Sequence, residues 1–255
     1  MPSLIDRYRA FALDLDGVVW RGSELLPGAF DAIGAIRDRG KPLLLLTNNG
    51  SYSREGILER IAPDGGLDGI EVLTSTIVAI RWVREHRLEG ATGLVLASQA
   101  VVSQVSDVLD LQEPDGVLAE IVLVGRDLAF DFDRLTRASD AIREGAHFLA
   151  LNRDATMPME GGLEPGTGAI VAAIEAASGM TATVLGKPEA PMMDAAVDIL
   201  GREGVLLVGD RLDSDIAGAK IAGWDSALVL SGVTGRDSQM TPAPDFVLEG
   251  LHDIL

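Results

Sequence analysis

Hydrophobic residues along this chain gather in short, nearly unbroken runs at 10–15, 42–46, 183–186, 205–208 and 226–230. A strand with one wet face alternates apolar and polar residues, whereas continuous runs of this length predict strands covered on both faces, as in a parallel sheet. Between the runs lie helix-like stretches such as Gly28–Arg39, Ala190–Gly201 and Asp215–Ala222. The first and last are closed by Gly40 and Gly223, and glycine suits a helix C-terminus because it enters the left-handed region without strain. This alternation of strand and helix predicts an α/β domain. Residues 75–180 repeat the rhythm, with strands expected at 93–97, 120–124 and 147–151, enough for a second small domain.

Composition narrows the chemistry. The 255 residues can bury a sizeable core, and they include no cysteine, which excludes disulfides, thiolate zinc sites and thiol nucleophiles. Any metal must then sit on oxygen or on three scattered histidines, and hard cations such as magnesium fit oxygen best. A net charge of -18 leaves no basic footprint for nucleic acid or an anionic membrane. The opening MPSLIDRYRAFALDLD has no basic-then-apolar leader pattern and no later run reaches the length of a membrane span, so a cytoplasmic protein is expected.

Four strand ends carry polar groups. In Phe11-Ala-Leu-Asp14-Leu-Asp16-Gly17 the carboxylates are two apart on a strand and project together at its C-terminal end, where parallel sheets bind ligands. Such a pair can hold a divalent ion, or attack phosphorus with one member while the other moves a proton; it also occurs as a solvated turn. The run Leu43–Leu46 ends in Thr47, Asn48 and Asn49, which can bind phosphate oxygens or merely shape the turn and cap the next helix. Lys187-Pro188 comes after the 183–186 run and precedes a helix whose first turn accepts proline; its ammonium would offset crowded carboxylates and a phosphate. The run at 205–208 leads through Gly209 to Asp210, which can complete an oxygen-only magnesium site. Asp215 can act there or as a first-turn acid of the next helix, and Asp213 is expected at the surface.

Taken jointly, Asp-x-Asp-Gly, Thr, Lys-Pro and Gly-Asp-x4-Asp in this order resemble the haloacid dehalogenase superfamily. The segments Gly125-Arg-Asp127, Gly145-Ala-His-Phe148, Asn152-Arg-Asp154 with Pro158, Pro165-Gly-Thr-Gly168 and Leu228–Thr234 resemble its class IIA branch of p-nitrophenylphosphatase-like and NagD-like enzymes. The resemblance implies a Rossmann-like parallel-sheet core at 1–74 and 181–255 with an inserted α/β cap domain of the class IIA type at 75–180. It implies a magnesium-dependent phosphatase of small phosphomonoesters with a phospho-aspartyl intermediate. Asp14 would be the nucleophile, Asp16 the general acid and base, Thr47 a phosphate ligand, and Lys187 the cation joining phosphate and nucleophile. Asn48 and Asn49 would lie at the phosphate as well. Magnesium would take the side chains of Asp14 and Asp210 and the carbonyl of Asp16, with Asp215 behind them or reaching the metal through water. The cap would set substrate choice, with Met157 at a position where relatives present differing side chains to the substrate, and a homodimer through the cap is implied.

Rival readings are a phospho-aspartate signalling or binding module and a non-phosphatase member of the same fold, such as a phosphotransferase or dehalogenase. In a receiver the acidic pair precedes a separate acceptor strand and no cap intervenes, while Asp16 and a cap without lysine argue against dehalogenation and phosphonate cleavage. His86, His147 and His252 lie in separate segments and are expected in surface or packing roles. Trp20 and Trp82 are expected to pack, with Trp20 close enough to the first motif to line its entrance.

Overall fold

A computed structural model describes residues 3–63, 65, 67, 69–111, 119–159 and 162–255. The chain forms two compact units: one from Met1–Thr47, Arg54–Leu73 and Lys187–Leu255, the other from Asn48–Ser53 and Thr74–Gly186.

The first unit is built on a six-stranded sheet in the order Phe246–Leu248, Asp225–Val229, Val205–Gly209, Ala10–Leu13, Leu43–Thr47, Glu71–Thr74. Ala10–Leu13 lies at its middle, parallel to Val205–Gly209 on one side and to Leu43–Thr47 on the other. All residues of these three strands are buried, which is why their sequences are unbroken apolar runs. Helices Ala29–Asp38, Arg54–Ile61, Ala190–Leu200 and Ala217–Ala222 belong to the same unit. Gly223 has φ +74° at the C-cap of the last, as the sequence predicts. Asp215 is not in that helix: a single π-type turn, Leu212–Ile216, precedes it.

The second unit has its own parallel sheet, in the order Thr183–Val184, His147–Ala150, Ile121–Val124, Thr92–Leu96, Asp110–Leu111. Helices Ser75–Glu85, Gln99–Val105, Phe132–Arg143 and Thr167–Ser178 accompany it, and an antiparallel hairpin joins Thr156–Met159 to Gly162–Pro165. The apolar run at 183–186, expected to open the second core segment, instead supplies this sheet's edge strand, with Thr183 opposite Leu149 and Val184 opposite Ala150. An apolar run records burial and not which sheet it joins. The proline in the first turn of the helix Ala190–Leu200 is Pro191, and Pro188 precedes the helix. Among the described residues no helix is long and apolar enough to cross a membrane.

Leu45 lies fully buried in the strand next to the central one. Leu45→Ala is expected to lower stability by about 2–5 kcal/mol through lost transfer energy and the remaining cavity, read as a lower urea midpoint.

Candidate active site

The site of the first unit grows from the C-terminal ends of its three central strands. Asp14 comes directly after Leu13 and continues the ladder by donating its N–H to the Val208 carbonyl at 2.9 Å. Asp210 comes directly after Gly209, and Thr47, 1% exposed, is the last residue of its strand. Lys187 opens the returning segment and is itself 3% exposed. Its Nζ donates to Asp14 Oδ1 at 2.6 Å, to Asp215 Oδ1 at 2.6 Å and to the Leu46 carbonyl at 3.0 Å. These three bonds match the three donors of an ammonium.

Asp215 is fully buried and is a first-turn acid of the π-type segment Leu212–Ile216. Its Oδ2 accepts the N–H groups of Asp210 at 3.2 Å and Arg211 at 3.0 Å, fixing the loop that presents Asp210. Asp213 pairs with Arg211 at 2.9 Å with its own side chain 72% exposed.

Carboxylate oxygens of Asp14, Asp210 and Asp215 come within 4.8 Å of one another. Burial pushes Asp14 well above the usual carboxylate range; Lys187 opposes the rise, and the charges of Asp215 and Asp210 add to it. Burial and then the charge of Asp215 push Asp210 up to about 7. Burial would lower Lys187, but Asp14 and Asp215 outweigh it, so the ammonium is held more firmly than in water. Three buried carboxylates against one ammonium leave an excess of negative charge on an all-oxygen donor set, the environment a hard divalent cation satisfies.

Glycines make room for this crowding. Gly17 has φ +84°, and a Cβ there would stand 2.5 Å from Asp210 Oδ2. A Cβ on Gly232 would fall on the same oxygen, and one on Gly209 would overlap Asp215. From the loop of Gly232, Val233 donates its N–H to Asp210 Oδ2 at 2.6 Å, while Ser231 Oγ donates to the Gly17 carbonyl at 2.7 Å. The sequence contains this loop in the Leu228–Thr234 run, but assigns it no task; nothing in its composition says which carboxylate it approaches.

Asp16 is near enough for its charge to act on Asp14 and has a partner of its own. Its Oδ1 accepts from the indole Nε1 of Trp20 at 2.9 Å. Trp20 is fully buried, as packing requires, and has this second role besides.

Other expected site residues belong to the second unit. The Asn48 carbonyl accepts from Ser75 Oγ at 2.8 Å and Asn152 Nδ2 at 2.9 Å, and Asn48 Nδ2 donates to Asp154 Oδ2 at 3.4 Å. Gly186 allows this, since a Cβ there would lie 2.5 Å from Asn48 Oδ1. Asn49 Oδ1 accepts the Ser51 N–H at 3.1 Å, the turn-shaping role open to it from sequence. Met157 is half-buried on the hairpin opposite Glu164, which pairs with Arg126. His86 stacks on Trp82 with ring centroids 3.8 Å apart and His147 meets the same ring edge-on at 5.4 Å, so both histidines pack.

The haloacid dehalogenase-like hydrolase family matches residues 11–108, and a HAD-hydrolase-like family matches 184–254. The chain is 32% identical to the sugar-phosphatase AraL of Bacillus subtilis over 248 residues, covering 95% of this chain and 90% of that protein. Among solved structures it is similar to a p-nitrophenyl phosphatase from Archaeoglobus fulgidus, with a TM-score of 0.88, 29% identity, and coverage of 97% of this chain and 98% of that one. It is also similar to the glycerol phosphate phosphatase Rv1692 from Mycobacterium tuberculosis in complex with magnesium, with a TM-score of 0.85, 31% identity, and coverage of 100% and 79% respectively.

Gly232→Ala should displace the Asp210 carboxylate while sparing the sheet. The expected result is unchanged circular dichroism with a much smaller magnesium-induced rise in melting temperature than in the parent protein. A rise equal to the parent's would show that Asp210 does not hold the ion.

Proposed function

Because this chain belongs to the haloacid dehalogenase-like hydrolases, in their p-nitrophenylphosphatase-like and NagD-like class IIA branch, and is a phosphoric monoester hydrolase, we propose that it cleaves small phosphomonoesters with magnesium, carrying the phosphoryl group on Asp14. The observation that carries this reading is the bridge from Lys187 to Asp14 and Asp215 at the end of the central strands. A dianionic ester can approach a carboxylate only where positive charge offsets the repulsion, and Lys187 provides one such charge at the attacking residue.

The residues divide the work. Asp14 attacks phosphorus, Asp16 gives a proton to the leaving oxygen and later takes one from the attacking water, and Thr47 donates to a phosphoryl oxygen. Asn48 and Asn49 are assigned to the same phosphate end of the substrate through their amides. The Asp215 carboxylate keeps Lys187 and the Asp210 loop in place by the three bonds it accepts. The side chains of Asp14 and Asp210 and the carbonyl of Asp16 would hold magnesium, whose charge would polarise the phosphoryl group. Support for this ion comes from the three clustered carboxylates and from the relative whose structure is in complex with magnesium. The second unit is assigned the role of cap and the choice of leaving group, with Met157 as a contact; a thioether adapts to varied apolar surfaces.

Asp14→Asn keeps the shape of the residue and removes its nucleophilic oxygen, so turnover of p-nitrophenyl phosphate should be abolished with the fold intact. Chelator should silence the parent enzyme and magnesium restore it. Retained turnover in the variant, or full activity in excess chelator, would overturn the nucleophile or the metal respectively.

Met157→His is expected to change the ranking of natural phosphoesters by more than it changes p-nitrophenyl phosphate hydrolysis. Comparison of kcat/KM across a phosphometabolite panel checks this; equal loss on every ester would assign Met157 to packing.

A further inference from the structure

Trp20 lies four residues after Asp16, and the chain turns back so that the two form an isolated bridge, with the Gly17 N–H donating to the Trp20 carbonyl at 2.7 Å. The indole then reaches Asp16 Oδ1 at 2.9 Å. On its ring the guanidinium of Arg60 lies 4.2 Å from the centroid, a cation–π contact, and the same Arg60 donates to the Gly22 carbonyl. Arg21, next in the short hairpin of Trp20–Arg21 and Glu24–Leu25, donates to the Ser231 carbonyl beside Gly232. The ring is therefore fixed by its own backbone, by a cation on its face and by a hairpin tied to the loop of Ser231 and Gly232.

Packing alone does not require an indole at this position, because phenylalanine buries a comparable face without an N–H that must find an acceptor. Trp224 shows the structural alternative in the same unit, donating its indole N–H to the Gly201 carbonyl at 2.9 Å. Trp20 instead donates to a carboxylate that the function above uses to move protons.

We propose that Trp20 is the positioning residue of Asp16: its indole N–H holds Oδ1, so that the catalytic proton is carried on Oδ2. This rests on the phosphatase reading. In the first half-reaction a bond forms between an Asp14 oxygen and phosphorus, the ester P–O bond breaks, and the proton on Asp16 Oδ2 passes to the departing oxygen. In the second, water attacks phosphorus, its proton goes to Oδ2, and the Asp14–phosphorus bond breaks. Asp16 thus returns to its starting state. An N–H donor at Oδ1 directs the proton to the other oxygen and removes the carboxyl group's freedom to turn away from the leaving group.

The test is Trp20→Phe, which keeps a ring and deletes the donor, with phosphorylation of Asp14 measured by rapid quench in magnesium. An alkyl phosphate needs a protonated leaving oxygen and p-nitrophenolate does not, and general acid catalysis contributes roughly 10²–10⁴-fold where it is needed. Transfer from an alkyl phosphate should fall by an order of magnitude or more while transfer from p-nitrophenyl phosphate stays nearly unchanged. Equal loss on both esters, or no loss on either, overturns the role of Trp20 but leaves the phosphatase reading standing. A parent enzyme that forms no phosphorylated Asp14 from either ester overturns both. If Trp20→Phe does not fold, the indole ¹⁵N–¹H resonance of Trp20 is compared between the parent and Asp16→Ala. A large shift and faster hydrogen exchange on loss of Asp16 are expected, and an unmoved resonance overturns the proposal.

Discussion

One ammonium among three buried carboxylates is the constraint around which the first unit is arranged. In a place almost closed to solvent the Lys187 Nζ donates to two carboxylates on different segments and to the end of the strand Leu43–Thr47. Each carboxylate left without a counter-charge would favour its protonated form, which is the direction in which Asp14 and Asp210 are pushed. The same lack of charge balance makes these clustered oxygens receptive to a divalent cation. The electrostatic strain among these acids and their capacity to bind are two descriptions of one charge distribution.

Backbone geometry, more than side-chain choice, makes that density of charge possible. Gly17, Gly209 and Gly232 leave the volumes into which Asp210 and Asp215 fit, and main-chain N–H groups of Asp210, Arg211 and Val233 meet the carboxylate oxygens. Beside the Lys187 ammonium, Asp210 and Asp215 are thus held by main-chain groups that carry no net charge and cannot rotate away.

Much of this is legible in the sequence because strand burial and strand-end chemistry are local. The unbroken runs before Asp14, Thr47 and Asp210 predict parallel strands, and a parallel sheet gathers the residues just beyond such strands at one edge. The features that stay hidden depend on partners distant in sequence. The run at 183–186 looks like any other buried strand, and only its pairing with His147–Ala150 places it in the second sheet. The edge strand Phe246–Leu248 is apolar but very short, Glu71–Thr74 offers only Val72 and Leu73, and the hairpin bearing Met157 lacks a continuous apolar stretch, so none of them stands out in the hydrophobic pattern. Trp20 can be read as a packing residue, but a hydrogen-bond direction does not appear in a hydrophobicity pattern. The role of Gly232 needs the position of Asp210 Oδ2, which lies on another strand's loop.

The middle position of Ala10–Leu13 in its sheet has a consequence for biosynthesis. One of its neighbours, Leu43–Thr47, is made soon afterwards, but Val205–Gly209 is not, and Lys187 trails Asp14 by 173 residues. At ribosomal speeds of about 5–20 residues per second, that interval is on the order of ten seconds or more. Throughout it the central strand has one unpaired edge, and Asp14 has no ammonium beside it. The nascent chain must therefore keep a strongly apolar segment from pairing with other chains until the returning segment emerges. Asp14 and Asp16, charged in water and adjoining that exposed edge, are well placed to discourage such pairing. The residues to which the proposed function assigns catalysis would then act first as gatekeepers against aggregation during synthesis.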